Sequence, residues 1–352
     1  YEKSKGDMYT VFIEKCKNLL CKYGLCSMIT QHSWMFLVSF EKIREKFFNN
    51  RLINMIHLGA RAFEEISGEV VQTVSFCFSI GNFINYKSVF CRLAEFQSSS
   101  LKEKALLSRE KIYIKRIEQF EIIKGMPMLY WANDELLELF KETKLGDIYD
   151  IKSGLSTGDN EIFVHYWFEV EKTKLSVFTG TEQGWVPYNK GGGVRKWYGL
   201  NYNVVNWGKD GNLIRNYGKA VFRNSTYYFR EGVTWSGIAS TGGTFRYCPH
   251  GFLFDSNKGP MIFECGKDIR LAMALLNSKV SQVLLSMLNP TLSLQIGDIA
   301  SIPYVELEKE IEQEVVALVD ENILIAKQEW DSTEISWDFV KHPLLNKGGL
   351  LS

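Results

Sequence analysis

The sequence predicts an α/β region followed by an α+β region that is rich in strands and ends in helices. Three observations carry this. Helix-like and strand-like runs alternate over the first 80 residues, 14 of the 28 glycines fall between Gly180 and Gly251, and helical periodicity returns after Asp268.

Asp7 to Tyr23 reads as an amphipathic helix, with Met8, Val11, Phe12, Leu19 and Leu20 at helical spacing and Gly24 as its C-cap. Leu25 to Ile29 reads as a buried strand, Phe40 to Asn50 as a second helix, and Leu52 to Leu58 and Val70 to Ile80 as two further strands. Leu101 to Lys124 turns helical and basic, with seven Lys and Arg against four Glu, and Gly125-Met126-Pro127 breaks it. A helix is expected over Asn133 to Leu145, with Asn133 or Asp134 as cap. The central stretch is punctuated by turn residues such as Lys209-Asp210-Gly211-Asn212, and glycine at that density signals turns and close backbone approaches. Two strands are expected within Gly251 to Glu264. One helix is expected from Asp268 to Leu288, stopping at Asn289-Pro290, and a long acidic one from Glu306 to Asp331.

Length and composition allow a substantial core and two domains: 352 residues, 45% of them hydrophobic. The chain begins at Tyr1 without a Met and is expected to be a piece of a longer protein. Seven cysteines without a CxxC argue against a disulfide framework and a zinc site, and suit a reduced cytoplasmic interior. No apolar run reaches membrane-spanning length. Nucleotide-binding glycine motifs and a GxSxG elbow are absent, and the five histidines show no metal-ligand spacing. The clearest acid-x-lysine element, Glu142-Thr143-Lys144, lies on an expected helix, which is a poor nuclease signal.

The charge is segregated. Gly180 to Lys258 holds ten Lys and Arg against four acids, whereas Glu306 to Asp338 holds eleven acids and two lysines. The first is the footprint of a surface that meets a polyanion, and Arg195, Lys196, Arg215, Arg223, Arg230 and Arg246 are its candidate phosphate or base contacts. The acidic helix would repel phosphates, so it should pack on its own domain or a partner protein. Composition leaves other readings open: a β-rich domain with core tryptophans and solvated arginines, a carbohydrate-binding module, or a DNA-specificity subunit without catalytic function.

Motifs narrow these. Gln31-His32-Ser33-Trp34-Met35-Phe36-Leu37, Ile56 to Phe63, Gly68 to Thr73, Gly154 to Asn160, Gly184 to Gly192, Arg195 to Gly199, Gly232 to Ser236, Gly251 to Asp255, Leu275 to Lys279, and Ser336 to Phe339 with His342 to Leu345 resemble, in order and spacing, the PglX-type adenine-specific DNA methyltransferases of BREX phage-defence systems. Type IIG restriction-modification enzymes share that layout. The resemblance covers nearly the whole chain. It implies a partial Rossmann-like methyltransferase sheet over 1–100, a helical linker over 101–125, a β-rich target recognition domain over 126–304, and an acidic helix and tail over 305–352. It also implies S-adenosylmethionine as cofactor and double-stranded DNA as partner, with other phage-defence proteins as further candidates. The cofactor glycine motif and the Asn-Pro-Pro-Tyr loop of the family are missing, so this chain alone is expected to be inactive. The resemblance makes Phe63 the candidate stacking face for a flipped adenine. Thr157 and Asn160 fall near the groove, and Lys190, Arg195, Lys196, Arg215 and Arg230 become DNA contacts, with Trp235, Ser236, Thr241 and Thr244 on an adjacent loop. Trp185 and Trp197 read as core.

Overall fold

The computed structural model describes residues 7–48, 51–63, 71–81, 85–123, 125–180, 184–237, 243–289 and 293–346. The chain divides into two compact units, Tyr1–Glu142 and Thr143–Ser352. The break therefore falls well after the expected linker.

The first unit is built on one five-stranded sheet. Its strands are β1 (Leu25–Gln31), β2 (Arg51–Gly59), β3 (Thr73–Ser79), β4 (Ser88–Arg92) and β5 (Ile112–Lys115), in the order β1-β3-β2-β4-β5. β3 runs antiparallel to both neighbours, β2 and β4 are parallel, and β4 and β5 antiparallel. Alternation in β3 sends Val74, Phe76 and Phe78 into the core with Trp34, Met55 and Phe90. The stretch expected to be a linker is instead the helix Ser99–Leu107 and β5, the edge strand of this sheet. Reading it as a linker missed the pairing of β5 with β4, a non-local partner that composition cannot show. The expected buried strand Leu25–Ile29 is also an edge, with Leu25 and Ile29 more than half exposed. Asn133 does cap a helix, its Oδ1 accepting from Leu136 N at 2.9 Å, but that helix is short, Asp134–Glu138.

Two buried cations tie the loops of this unit through backbone carbonyls. Arg44 donates to the carbonyls of Trp34, Leu37 and Gly125 at 2.7–2.8 Å, and Lys102 to those of Leu58 and Leu93 at 2.7 and 2.9 Å. These bonds satisfy carbonyls at chain reversals where no strand can. A third polar chain is neutral: His32 Nδ1 lies 2.8 Å from His57 Nε2, and His57 Nδ1 lies 3.0 Å from the Tyr130 hydroxyl. Phe90 stacks on Tyr130 with centroids 4.9 Å apart.

In the second unit the glycine-rich centre forms small sheets. β6 (Asp150–Lys152), β12 (Gly232–Trp235), β13 (Phe245–Cys248) and β15 (Met261–Phe263) make an antiparallel sheet in the order β13-β12-β15-β6. β8 (Val164–Tyr166), β9 (Trp185–Asn189), β10 (Asn203–Asn206) and β14 (Leu253–Phe254) make a second, and β7 (Leu155–Ser156) pairs with β11 (Val221–Phe222) as a short ribbon. Leu155, Val186, Tyr188, Trp207, Phe254 and Phe263 form the core between them. The turn at Lys209-Asp210-Gly211 is formed by three successive residues in the left-handed region.

The expected single helix from Asp268 to Leu288 is two, Ile269–Asn277 and Lys279–Leu288, bent by 76°. Ser278 sits between them in an extended conformation and its side chain caps the second, accepting from Ser281 N. Pro290 lies outside the described residues. No single helix among the described residues is long and apolar enough to cross a membrane.

The long acidic helix, Lys309–Asp331, packs on the helix Ile269–Asn277 of the same unit. Basic residues anchor it: Arg270 pairs with Asp320 at 2.6 Å, and Lys267 with Glu312 at 2.8 Å and with Glu306. Arg195 anchors its far end, where its guanidinium pairs with Glu329, donates to Tyr198 O at 3.1 Å and lies over the Trp330 ring. Its cation is thereby held inside the unit.

Two predictions follow from this packing. Burial lowers His32 to about 4 and His57 to about 3, with the neighbouring imidazole and Arg92 adding to the second. Both are therefore neutral in the fold at pH 7. The unfolded chain takes up protons near pH 6.5 while the folded chain does not, so stability is full above 6.5 and falls as the pH drops towards 4. For His32 alone the loss reaches about 3 kcal/mol at pH 4. Urea unfolding followed from pH 7.5 to 4 should show this slope, and His57→Asn should flatten it. Arg195→Ala should cost about 1–2 kcal/mol by releasing the helix end. Hydrogen exchange should then quicken over residues 326–331 and remain unchanged over β2 and β3.

Candidate nucleic-acid interface

Several exposed basic residues of the second unit, Arg215, Lys219 and Arg223 among them, lie on the segment that carries β11 of the β7–β11 ribbon. Ser156 pairs with Val221 and Leu155 with Phe222, which brings the loop after β7 beside the segment that carries Arg215, Lys219 and Arg223. Gly158 seals that junction: a Cβ there would meet the Lys219 backbone at 2.7 Å, and φ is +79°. Asn224, left-handed at the start of the next turn, donates to Ser153 O at 2.8 Å and closes the ribbon's other end.

Aromatic rings hold the cationic heads in place. The Arg215 guanidinium lies 3.9 Å from the Phe222 ring centroid, Arg230 lies 5.0 Å from Tyr227, and Lys152 lies 5.3 Å from the same ring. Arg215, Lys219, Arg223 and Arg230 are all exposed. Two acids of this face are engaged locally, while Glu161 beside Asn160 is exposed. Asp159 caps the turn at Asn160 and accepts from the Tyr217 hydroxyl at 3.0 Å. Asp150 accepts from Tyr227 at 2.8 Å and pairs with Lys152 at 2.7 Å, and these bonds hold its carboxyl below the usual range. What remains outward is a cationic, partly aromatic surface suited to phosphates.

Of the residues singled out in the sequence, Asn160, Arg215 and Arg230 come together here, all exposed. Thr157 is beside them but buried, its hydroxyl donating to Asn160 Oδ1 at 2.8 Å, so it orients Asn160 instead of facing solvent. Arg195 belongs to the helix anchor. Lys196 donates to Asn277 O at 3.0 Å, the carbonyl at the end of the helix Ile269–Asn277, and so acts as a C-terminal clamp. Trp235, Ser236 and Thr244 are corrections: none is more than 5% exposed, because they lie on and beside the paired strands β12 and β13, and Trp235 donates inward to Leu294 O. Arg246, on β13, is buried with them. Thr241 lies outside the described residues. Lys190 is half-buried at the end of β9, next to Lys258, and burial lowers its pKa.

None of the nine tryptophans is exposed. The carbohydrate alternative supposes exposed tryptophans and tyrosines, and of these Tyr166, on β8, is exposed. In the first unit Phe63 is exposed just after β2, and residues 64–70 that follow it lie outside the described residues. The described residues contain no cluster of three or more His, Cys, Asp or Glu that could hold a metal ion. Sequence reading missed Lys152, Lys219 and Tyr227. The signal for them was the pairing of β7 with β11, two residues on each side and too short to be seen in a pattern.

Comparisons with known proteins find methyltransferases and restriction-modification enzymes. Residues 1–63 match the model of the Eco57I restriction-modification methylases. The chain is 38% identical over 98% of its length to the adenine-specific methyltransferase PglX of Lacticaseibacillus casei (strain Zhang), and 32% identical over 99% to the adenine-specific methyltransferase BrxX of Escherichia coli O9:H4 (strain HS). It spans only 30% and 29% of those relatives. Among solved structures, the fold is similar to the Type ISP restriction-modification enzyme LlaGI in complex with a DNA substrate mimic, with a TM-score of 0.56 at 12% identity over 91% of this chain and 31% of that one. It is also similar to the Type IIL restriction-modification enzyme MmeI in complex with DNA, with a TM-score of 0.51 at 9% identity over 95% of this chain and 46% of that one. Almost from end to end, then, the chain matches a segment of the PglX-type adenine-specific methyltransferases.

Proposed function

We propose that this chain is the DNA-recognition part, joined to the second half of the catalytic domain, of a site-specific N6-adenine DNA methyltransferase of restriction-modification or BREX phage defence. The observation that carries the reading is the 38% identity to PglX over nearly all of the chain, both units included. The exposed cationic face on β7 and β11 supports duplex DNA as its partner. A specificity subunit without catalytic ancestry is less well supported, because the first unit also matches the methylase model.

In this reading the sheet β1-β3-β2-β4-β5 is the second half of a Rossmann-like methyltransferase sheet. Support comes from its open side. β1 is an unpaired edge, and Leu25 and Ile29 on it, with Met8, Phe12 and Leu19 of the first helix, are all more than half exposed. Edges with such side chains are normally covered.

S-adenosylmethionine is implied by the family, but the residues of this chain do not fit it. The glycine motif is absent from the sequence, and the polar groups of the first unit are turned on each other: His32, His57 and Tyr130 form one hydrogen-bonded chain and Lys102 is spent on two carbonyls. The cofactor site is accordingly assigned to the parent protein outside this segment, and no step is derived through it. What this chain contributes is positioning. Its cationic face grips the duplex backbone, and Phe63, exposed after β2, is the candidate ring on which an extruded adenine stacks.

The test is binding to random duplex DNA across a salt series. Log affinity should fall linearly with log salt, and Arg215→Ala with Arg230→Ala should lower the slope by about 1.8 if both meet phosphates. A slope left unchanged by the pair would refute this face as the DNA surface. In the full-length parent, Phe63→Ala should reduce methyl transfer about 5- to 150-fold, since aromatic stacking on a base is worth about 1–3 kcal/mol, while duplex affinity stays within about twofold.

A further inference from the structure

A second candidate for phosphate contact is the loop that follows β9. We propose that Lys190–Val194 is a cradle for a DNA phosphodiester, with its donor amides held outward by the buried pair Arg246 and Ser236. This rests on the DNA-binding reading above and assigns part of the backbone contact to a different loop.

The geometry starts from a guanidinium with no acid beside it. Arg246 is 1% exposed, its Nη1 donates to Ser236 Oγ at 3.3 Å, and its Nη2 has no partner. Burial lowers its pKa only to about 10, so it remains a cation at neutral pH. Ser236 Oγ accepts from that cation and must direct its own proton elsewhere. It lies 2.9 Å from Gly192 O and 3.1 Å from Gly193 O, and both carbonyls converge on it. In a trans peptide the N–H points opposite to the C=O. The Gly193 and Val194 amides therefore both face away from Ser236. Gly192, Gly193 and Val194 are exposed, and neither amide has a partner among the described residues.

The loop is fixed where it leaves β9. Asn189, just before it, donates to Thr234 Oγ1 at 2.5 Å and to Gly259 O at 3.0 Å. Gly191 meets the Lys258 carbonyl so closely that a Cβ would lie 1.6 Å from it, and its φ is +70°. That contact brings Lys258, which is exposed, beside Lys190. The nearest acid, Asp255, is 7% exposed and turned inward: Oδ1 accepts from the Asn257 and Lys258 amides at 2.8 Å and Oδ2 from the Tyr188 hydroxyl at 2.9 Å. Two lysines and two outward amides on a preset loop make a site for a single tetrahedral anion at low ordering cost. No base edge is needed, so the contact should be independent of sequence.

The experiment is the salt series already described, run on the 352-residue chain with Lys258→Gln, Lys190→Gln/Lys258→Gln and Ser236→Ala, on two unrelated duplexes. Lys258 is exposed, so its variant tests the site without touching the fold. The slope should drop by about 0.9 for Lys258→Gln and about 1.8 for the double variant, equally on both duplexes. Ser236→Ala should weaken binding about three- to tenfold with the slope unchanged, because it frees the amides without removing charge. If the lysine variants keep the parent slope while Arg215→Ala/Arg230→Ala lowers it, the cradle is wrong and the DNA reading stands. Should Ser236→Ala bind like the parent, the clamp is wrong. If the parent itself shows no salt-sensitive binding, both readings fall together.

Discussion

Cationic side chains hold this protein together by donating to backbone carbonyls. Arg44 takes three carbonyls, Lys102 two, Arg195 takes Tyr198 O, and Lys196 takes Asn277 O. A chain with this many reversals leaves carbonyls that no strand or helix can satisfy, and a long flexible donor reaches them from a distance. Because those donors are charged, each bond is stronger than a neutral one, and for Arg44 and Lys102 it holds the charge in the interior. The division of arginines and lysines between internal ties and outward contacts is thus the constraint on which the interface depends.

Arg215 and Arg230 stay outward with their guanidinium groups over aromatic faces, and Arg215 adds only a long bond from Nε to Asp210 O at 3.5 Å. A ring attracts a guanidinium while leaving its N–H edges free, so Phe222 and Tyr227 can fix the heads of these side chains without consuming their donors. The acids nearby are handled in the opposite way, with Asp150 and Asp159 drawn into hydrogen bonds to tyrosine hydroxyls and to a turn. Arg246 belongs to neither group. It is buried without a carboxylate, which is unfavourable unless the arrangement it enforces is worth the desolvation, and what it enforces is the direction of two peptides in the glycine loop.

The acidic helix solves a related problem. Eleven acids within Glu306–Asp338 would oppose a polyanion on the same unit. Packing the helix on Ile269–Asn277 and anchoring it with Lys267, Arg270 and Arg195 neutralises part of that charge. Val319 and Trp330 are its buried residues, so the contact is narrow and the ion pairs fix its register.

Patterns that depend on neighbours in the chain were legible in the sequence: the first helix and the strands Arg51–Gly59 and Thr73–Ser79, the cap at Asn133, the left-handed turn at Lys209 to Gly211, and the acidic helix. The ordered motifs likewise sufficed to place the chain beside the PglX-type methyltransferases. What the tertiary structure alone decided was exposure. Trp235, Ser236 and Thr244 have the composition of a polar recognition loop, yet strand pairing buries them; Arg195 and Arg215 are alike in the sequence, yet the carboxylate of Glu329 claims the first while the second stays exposed. The reason is physical. Periodicity and capping arise within a few residues, whereas the partner of a long charged side chain comes from wherever the fold leaves an unsatisfied carbonyl, and that is settled only when distant segments meet.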